Sequence, residues 1–268
     1  MKMTVLVENN TYMGLYYQGE PGLCLYIEDE GTRLLLDTGY TDLFARNAQQ
    51  LGVDLTAIDK VILSHGHDDH TGGLETYFSL RQDRPVIVTH PLTFQPKRID
   101  GRDAGSRLSR EQVEAEAQLC LTESPMKVSP NIWYLGHIPR TVPFENQHPL
   151  GEVFVDGQWK PDFMEEDSAL VYQTPHGIYV ITGCSHCGVC NIVAYAQKVC
   201  GDDRVLGLFG GFHLVNDGEL TQQTAQWLAQ RNIEELFPCH CTCFEAQVAM
   251  HRLHPIQETG VGLEVEWT

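Results

Sequence analysis

The chain has 268 residues, of which 42% are hydrophobic, and carries a formal net charge of −18 at pH 7. Because phosphate backbones are bound by surfaces rich in lysine and arginine, this charge argues against a nucleic-acid partner. The N-terminus lacks the apolar core of a signal peptide and no apolar run reaches the length of a membrane span, so we expect a cytoplasmic protein that acts on a small molecule, without a membrane partner.

Short strands and helices alternate in the first ninety residues. The clearest helix lies at 42–51, where Leu43, Phe44, Ala48 and Leu51 recur at helical spacing. The pattern also predicts strands at 4–7, 22–27, 33–36, 60–65 and 85–90 and a helix at 73–81.

Residues 91–130 differ from their surroundings, because they are rich in charge, are flanked by prolines and contain the helical sequence SREQVEAEAQLC. We interpret this segment as an insertion or lid within a single domain that spans 1–268. Beyond it, strands are predicted at 132–135, 153–155, 169–174 and 178–182, and helices at 189–198 and 220–230 alternate with apolar runs at 205–210 and 234–238. This order favours a layered α/β architecture, and nothing in the pattern indicates an oligomeric state.

The most informative stretch is HGHDDH at 65–70, directly after the apolar strand predicted at 60–65. His65 and His67 are two residues apart and are expected to share one ion, whereas Asp69 and His70 are expected to face a second. Imidazole and carboxylate groups suit zinc, with iron or manganese as alternatives. A polar surface turn that binds nothing is the simpler alternative. Four suitable side chains within six residues favour a site for two divalent metal ions.

Together with LLLDTG at 34–39, the motif HGHDDHTGG resembles the signature of the metallo-β-lactamase-fold superfamily. The resemblance implies an α/β (α+β) fold, a four-layer αβ/βα sandwich with a metal site at the edge of its two sheets. It also implies that Asp37 orients the ligand loop without binding metal itself. A turn residue before Gly39 is the simpler interpretation of Asp37, and the two roles are compatible.

The same resemblance implies further ligands in the second half of the chain. Cys184, in TGCSHCG, matches an Asp or Cys that reaches the metals, and a thiolate there is favoured because nearby cations lower its pKa. His240, in PCHCT, matches the last ligand of the superfamily. Many members carry another histidine upstream of the Asp/Cys position, where this chain reads FMEEDSALV. We expect His186 to replace it, and one of the acidic residues 165–167 is the alternative.

Two residues outside the ligand set are predicted to contact the substrate. His213 follows a Gly-Gly pair in LFGGFHL and would donate a proton or contact the substrate, in a catalytic role shared with Asp69. A strand-end histidine bonded to the backbone is the alternative. Arg140, in GHIPRTVPFE, is a candidate anion contact in an otherwise acidic chain, and a surface ion pair is equally compatible with the sequence.

The motifs TGCSHCG, GGFHL, PCHCT and GHIPRTVPFE narrow the resemblance to a subgroup related to archaeal 7,8-dihydropterin-6-methyl-4-(ribofuranosyl)aminobenzene-5′-phosphate synthase. That relationship implies a transferase that joins a pterin diphosphate to an aryl ribose phosphate. The chain departs from the subgroup at His137, Cys187, Cys190 and Cys243. The motifs are specific for the subgroup but much less so for the substrate, and a pair of cations would assist hydrolysis and condensation alike. The leading hypothesis is a dinuclear metal-dependent hydrolase that uses metal-activated water on a small ester or phosphate ester. A pterin-diphosphate transferase and a non-catalytic metal- or redox-sensing module are the alternatives.

The cysteines raise one more alternative, an iron–sulfur cluster, which needs about four converging thiolates. Cysteines occur at Cys184, Cys187 and Cys190 and again at Cys239, Cys241 and Cys243. The helix predicted from residue 189 would turn Cys190 away from Cys184, and His240 is already assigned to the metal site. Free buried or redox-active thiols are therefore the favoured interpretation.

Overall fold

A computed structural model describes residues 1–145 and 147–268. Its strands are, in chain order, β1 (Lys2–Val7), β2 (Cys24–Asp29), β3 (Thr32–Leu36), β4 (Lys60–Ile62), β5 (Val86–Thr89), β6 (Lys97–Ile99), β7 (Arg102–Asp103), β8 (Gln118–Leu121), β9 (Met126–Lys127), β10 (Ile132–Tyr134), β11 (Gly151–Val155), β12 (Gln158–Asp162), β13 (Ala169–Gln173), β14 (Ile178–Thr182), β15 (Val205–Gly211), β16 (Glu235–Cys239) and β17 (Glu264–Glu266). The α-helices are α1 (Leu43–Leu51), α2 (Asp68–Thr71), α3 (Leu74–Ser79), α4 (Arg110–Glu116), α5 (Val189–Cys200), α6 (Glu219–Ala229) and α7 (Phe244–His251).

Two large sheets form the centre of the molecule. Within the described residues, the first sheet has seven strands in the order β17-β1-β2-β3-β4-β5-β8, and the second has six in the order β16-β15-β14-β13-β10-β9. Strands β3, β4, β5 and β8 run parallel, as do β14, β15 and β16. A smaller sheet in the order β12-β11-β6-β7 lies beside them.

Three buried clusters of apolar residues define four layers. One cluster joins side chains of both large sheets, such as Leu34 and Ile62 from the first and Ile181 and Phe209 from the second. A second cluster covers the other face of the first sheet with residues of α1, α3 and α4. The third covers the other face of the second sheet with residues of α5, α6 and α7. Helices therefore cover both outer faces of two stacked sheets, which confirms the predicted αβ/βα layering.

The segment 91–130 is divided among all three sheets. It supplies β6 and β7 to the small sheet, β8 to the edge of the first large sheet and β9 to the edge of the second. The predicted helix over SREQVEAEAQLC is too long, because α4 ends at Glu116 and Ala117 is already extended. Residues 118–121 instead pair in parallel with β5, so that tertiary pairing overrides the local helical preference. A lid function for this segment stays a prediction.

The parallel strands of both sheets end at the same edge of the molecule. In the first sheet, Leu36 at the end of β3 is in register with Ile62 at the end of β4. In the second sheet, Gly211 at the end of β15 is in register with Cys239 at the end of β16. The carboxyl ends of these strands therefore meet at a common edge, where the loops that follow them come together.

No helix among the described residues is both long enough and apolar enough to cross a membrane.

Candidate metal centre

Each predicted ligand segment begins where a parallel strand ends. The loop after β4 carries His65 and His67, and the short helix α2 carries Asp69 and His70. In the second sheet, the turn after β14 carries Cys184 and His186, and His240 directly follows β16. Residues far apart in sequence are therefore brought to one edge by the sheet topology.

The first group of ligands contains His65, His67 and His186. The Nε2 atom of His65 lies 3.1 Å from Nδ1 of His67 and 3.2 Å from Nε2 of His186. All three side chains are buried, and their ligand atoms lie within 4.8 Å of one another. The structure thus brings together the first two histidines of the HGHDDH motif and the histidine expected to complete this site.

The second group contains Asp69, His70, Cys184 and His240, whose ligand atoms also lie within 4.8 Å of one another. Nε2 of His70 lies 3.2 Å from Sγ of Cys184 and 3.1 Å from Nε2 of His240. The Oδ2 atom of Asp69 lies 3.6 Å from Nε2 of His70. The two groups adjoin, because the rings of His65 and His70 have centroids 4.2 Å apart.

The spacing of these atoms suits metal ions. Donors that share one zinc ion at about 2.0–2.3 Å must themselves lie roughly 3–4 Å apart. Neighbouring donor atoms in both groups have such separations, for example 3.1 Å between Nε2 of His65 and Nδ1 of His67 and 3.2 Å between Nε2 of His240 and Sγ of Cys184. Each group also contains at least three donors of the types that zinc accepts. The residues present therefore fit two divalent cations.

Burial keeps the first group neutral. It lowers the pKa of His65 and of His186 well below the usual value, and the adjacent imidazoles lower it further. Burial also lowers the pKa of His67, to about 3. A neutral imidazole is the form that binds a metal, so these three side chains are ready to do so without losing a proton.

The second group attracts positive charge. Burial alone would lower the pKa of His70, but the carboxylates of Asp69 and Asp37 outweigh it and raise this pKa to about 9. Burial would raise the pKa of Asp69, yet His70 and His240 outweigh it and hold this pKa below its usual value. Burial raises the pKa of the Cys184 thiol, and a nearby divalent cation would favour the thiolate instead.

Asp37 and Ser64 fix the orientation of the ligand loop. Oδ2 of Asp37 lies 2.7 Å from Nδ1 of His70, and Oδ1 accepts a hydrogen bond of 2.8 Å from the Ser64 amide. The Ser64 hydroxyl donates to Oδ2 of Asp37 at 2.7 Å and lies 2.9 Å from Nδ1 of His65. One buried carboxylate thus contacts ligands of both groups, directly or through a serine. Sequence reasoning identified Asp37 but missed Ser64.

His240 is held by the segment that follows β1. Its amide donates to Oε1 of Glu8 at 2.7 Å, and its Nδ1 atom lies 3.1 Å from Oδ1 of Asn9. The Asn9 amide group also donates to the His240 carbonyl at 3.2 Å. Both residues escaped the sequence analysis, because the sequence ENN contains no pattern that relates it to a histidine more than 200 residues away.

Three residues at the same edge have a strained backbone. Asp37, His213 and His240 adopt positive φ angles of 59°, 48° and 52°. Such left-handed conformations are uncommon for residues other than glycine, and they persist where the surrounding structure holds them. Gly183 is required for a steric reason, because a Cβ atom there would lie only 2.2 Å from the Ser64 hydroxyl oxygen.

His213 lies beside the first group rather than within it. Its ring centroid is 4.4 Å from that of His186, and its amide donates to Sγ of Cys241 at 3.3 Å. Burial would lower the pKa of His213, but Cys241 and nearby carboxylates raise it. Cys241 was not assigned to the site by sequence reasoning, and its thiol also donates to the Cys184 carbonyl at 3.4 Å.

Arg140 lies in neither ligand group. Its Nη1 atom is 3.1 Å from Oε1 of Glu165, and its Nη2 atom donates to the Phe163 carbonyl. The acidic residues 165–167 lie outside both groups as well. Besides Glu165 at Arg140, Glu166 pairs with Lys97, and Asp167 accepts a hydrogen bond from the Cys187 amide. A substrate-binding role for Arg140 stays a prediction.

The cysteines of the described residues do not gather around one point. Cys187 and Cys190 are buried in the core on the helical side of the second sheet, whereas Cys239 is buried in the core between the two sheets. Cys184 is the cysteine that belongs to a ligand group. This arrangement favours free thiols over an iron–sulfur cluster.

Comparison with known proteins agrees with this architecture. Residues 17–240 match the Metallo-beta-lactamase superfamily, and the chain belongs to this family. It is similar to the 7,8-dihydropterin-6-methyl-4-(beta-D-ribofuranosyl)-aminobenzene-5'-phosphate synthase of Methanocaldococcus jannaschii, with 28% identity covering 92% of this chain and 89% of that protein. An uncharacterised protein of the same archaeon is 30% identical, and the match covers 93% of this chain and 94% of that protein.

A solved structure shares the fold over its full length. Tm1679, described as a metal-dependent hydrolase of the beta-lactamase superfamily, superposes with a TM-score of 0.87 at 27% identity, covering 100% of this chain and 99% of the other. The predicted family and the predicted fold are therefore both confirmed.

Proposed function

We propose that the protein is a metal-dependent hydrolase that holds two divalent cations, preferably zinc, and cleaves a small ester or phosphate ester. The observation that carries this proposal is the pair of adjoining ligand groups, His65–His67–His186 and Asp69–His70–Cys184–His240. When bound, two such cations polarise a carbonyl or phosphoryl oxygen and make water acidic at neutral pH.

Two side chains, Asp69 and His213, are candidates for direct contact with water or substrate. Asp69 is the most exposed residue of the two groups, with 28% of its side chain accessible, whereas the ring of His70 is fully buried. Asp69 is therefore the ligand most accessible to an incoming substrate, and its carboxylate, which His70 and His240 keep ionised, can accept a hydrogen bond from water and orient it. His213 is only partly buried and borders the first group, so its ring can donate a proton to a departing oxygen.

Metal content and turnover test this proposal together. The wild-type protein is expected to bind about two equivalents of zinc and to hydrolyse at least one member of a panel of carboxylic esters, phosphate monoesters and phosphate diesters. The variants His67→Ala and Asp69→Ala should each lose about one equivalent and most of the activity. A wild-type protein that bound no divalent cation, or variants that kept both, would contradict the assignment.

A pterin-diphosphate transferase is the second candidate. The similarity to the archaeal synthase extends over 92% of this chain and supports a shared substrate class. Exposed apolar side chains add support, since Met13 and Tyr16 are the two most exposed of the large hydrophobic residues that the structure describes. They lie in a loop whose ends contact His240 through Glu8 and the Asp69 carbonyl through the Leu23 amide. Such a loop suits a substrate with a flat aromatic body.

Product analysis separates the two activities. Incubation with a pterin diphosphate and an aryl amine should give a coupled product and free diphosphate from a transferase. A hydrolase should release phosphate or diphosphate and hydrolysed pterin, without a coupled product. A non-catalytic metal- or redox-sensing module would show bound metal without turnover in either assay.

A further inference from the structure

A charged triad is buried next to the first ligand group. The Lys97 ammonium lies 2.8 Å from Oδ2 of Asp162 and 2.8 Å from Oε1 of Glu166. The three side chains are only 1%, 6% and 1% exposed. Burial alone would lower the pKa of Lys97, but both carboxylates outweigh it and raise this pKa, so that the lysine stays charged.

Lys97 packs against the ligand loop between its first two histidines. A Cβ atom on Gly66 would lie 3.2 Å from Cε of Lys97 and 2.0 Å from the Thr93 carbonyl oxygen, so only glycine allows this close approach. The end of the Lys97 side chain therefore lies close to Gly66, which separates His65 from His67.

The Lys97 backbone supports the same loop from another direction. Its carbonyl accepts a hydrogen bond of 3.0 Å from the Ala104 amide, and the Ala104 carbonyl accepts one of 3.0 Å from the Asp68 amide. His67 also forms an isolated bridge with Gly105. Lys97 lies in β6 of the small sheet, and it thus connects this sheet to residues 66–68 of the ligand loop.

Glu166 lies in the segment FMEEDSALV, where many relatives were expected to place a histidine ligand, and Asp162 directly precedes this segment. This segment is also attached to the ligand loop, because the Ser168 amide donates to the Ser64 carbonyl at 2.9 Å. Buried ion pairs contribute little net stability, since desolvation offsets their attraction, and well-packed apolar residues often replace them without loss. A triad beneath a candidate metal loop therefore points to a role other than stability.

We propose that Lys97, together with Asp162 and Glu166, is a positioning group that holds the His65–His67 loop in the geometry needed to bind the first cation. The proposal rests on the proposed function, because it assumes that the two ligand groups bind metal. It assigns Lys97 no contact with substrate. Lys97 affects how well the loop is ordered, and thereby the metal affinity of the first ligand group.

The variant Lys97→Met tests this role, because methionine keeps much of the side-chain volume and removes the charge. Titration of the metal-free protein with cobalt(II) separates the two groups, since only the second contains a thiolate and gives thiolate-to-cobalt absorption. We expect the affinity of the first group to fall about tenfold or more, as when the residues that orient a ligand are changed. The second group should keep its thiolate absorption and its affinity.

Lys60→Met is a matched control. Its ammonium is partly buried and donates to the Val128 carbonyl at 2.7 Å, and among the described residues no hydrogen bond or ion pair links this ammonium to the ligand loop. This variant should bind both cobalt ions with wild-type affinity. The triple variant Lys97→Met, Asp162→Asn, Glu166→Gln removes every charge of the triad and leaves no unpaired carboxylate. It should show the same selective loss even if the single variant folds poorly.

Two results would overturn the inference. One is wild-type affinity at both groups in the triple variant. The other is an equal weakening of both groups with a matching drop in the unfolding midpoint of the metal-free protein, which would mark a general structural role. A wild-type protein that bound no cobalt would instead overturn the proposed function, so the two failures are distinguishable.

Discussion

Asp37 contacts His70 through a 2.7 Å separation between Oδ2 and Nδ1, in a position where both side chains are fully buried. If Nε2 of His70 binds a cation, Nδ1 must carry the ring proton and donate it to Asp37. This contact fixes both the tautomer and the ring orientation of His70. It also explains why an aspartate stands at the end of β3, where the strand itself needs none.

The variant Asp37→Asn should therefore bind metal more weakly. An asparagine can turn its amide group towards His70, so that two donors oppose each other and the wrong tautomer is favoured. We expect a loss of about 10–100-fold in affinity for the cation held by His70. Competition with a chromophoric chelator would measure it.

Asp29→Asn is the matched control for this experiment. Asp29 is another buried aspartate, and it accepts hydrogen bonds from the Ser129 hydroxyl and the Asn131 amide, away from the ligand groups. This variant should keep wild-type metal affinity. An Asp37→Asn protein with unchanged affinity would show that the hydrogen bond does not orient the ligand.

Local patterns revealed those parts of the site that are contiguous in sequence. HGHDDH contains ligands of both groups, and a buried strand before it predicts a loop at a sheet edge. Cys184, His186 and His240 were assigned through resemblance, because no spacing rule relates them to residues 65–70. The structure brings all of these residues together.

The supporting contacts were beyond sequence reasoning for a physical reason. Glu8 and Asn9 act on His240 only because β1 and β16 end at the same edge of different sheets. Lys97 lies in a segment interpreted as an insertion or lid, and its ion pairs join it to Asp162 at the end of β12 and to Glu166 in the turn that follows. Such relationships depend on the three-dimensional arrangement of the strands.

The thiol of Cys184 should be detectable in the second group. Cys184→Ser should remove thiolate-to-cobalt absorption and weaken binding of one cation, because the sulfur lies 3.2 Å from Nε2 of both His70 and His240. Cys187→Ser is the matched control, since this equally buried thiol lies in the apolar core. Persistent thiolate absorption in the Cys184 variant would assign it to another cysteine, with Cys241 the nearest candidate.

Asp167 should make the stability of the metal-free protein depend on pH. Burial raises its pKa from 3.8 to about 7, so the folded state holds a proton that the unfolded state releases. Stability therefore falls as the pH rises from about 4 to about 7, by at most about 1.4 kcal/mol per pH unit from this group. An asparagine side chain does not titrate, so the Asp167→Asn variant should become progressively more stable than wild type over this range.

Chemical denaturation of chelator-treated protein at several pH values measures this difference. Near pH 4 the wild-type carboxyl is already protonated when folded, and the two proteins should have similar free energies of unfolding. This comparison is an internal control for any effect of the substitution on packing. A difference that stayed constant between pH 4 and pH 8 would show that Asp167 is ionised in the folded protein throughout.

His213 should affect turnover without affecting metal content. Its ring borders His186 with centroids 4.4 Å apart, yet it belongs to neither ligand group. If it donates a proton to the leaving group, His213→Asn should lower kcat by about 100-fold or more and abolish the decline of kcat at high pH. His251→Asn changes an exposed histidine of α7 and should leave kcat unchanged. Loss of a metal equivalent in the His213 variant would make it a ligand, and wild-type kcat would exclude it from the proton transfer.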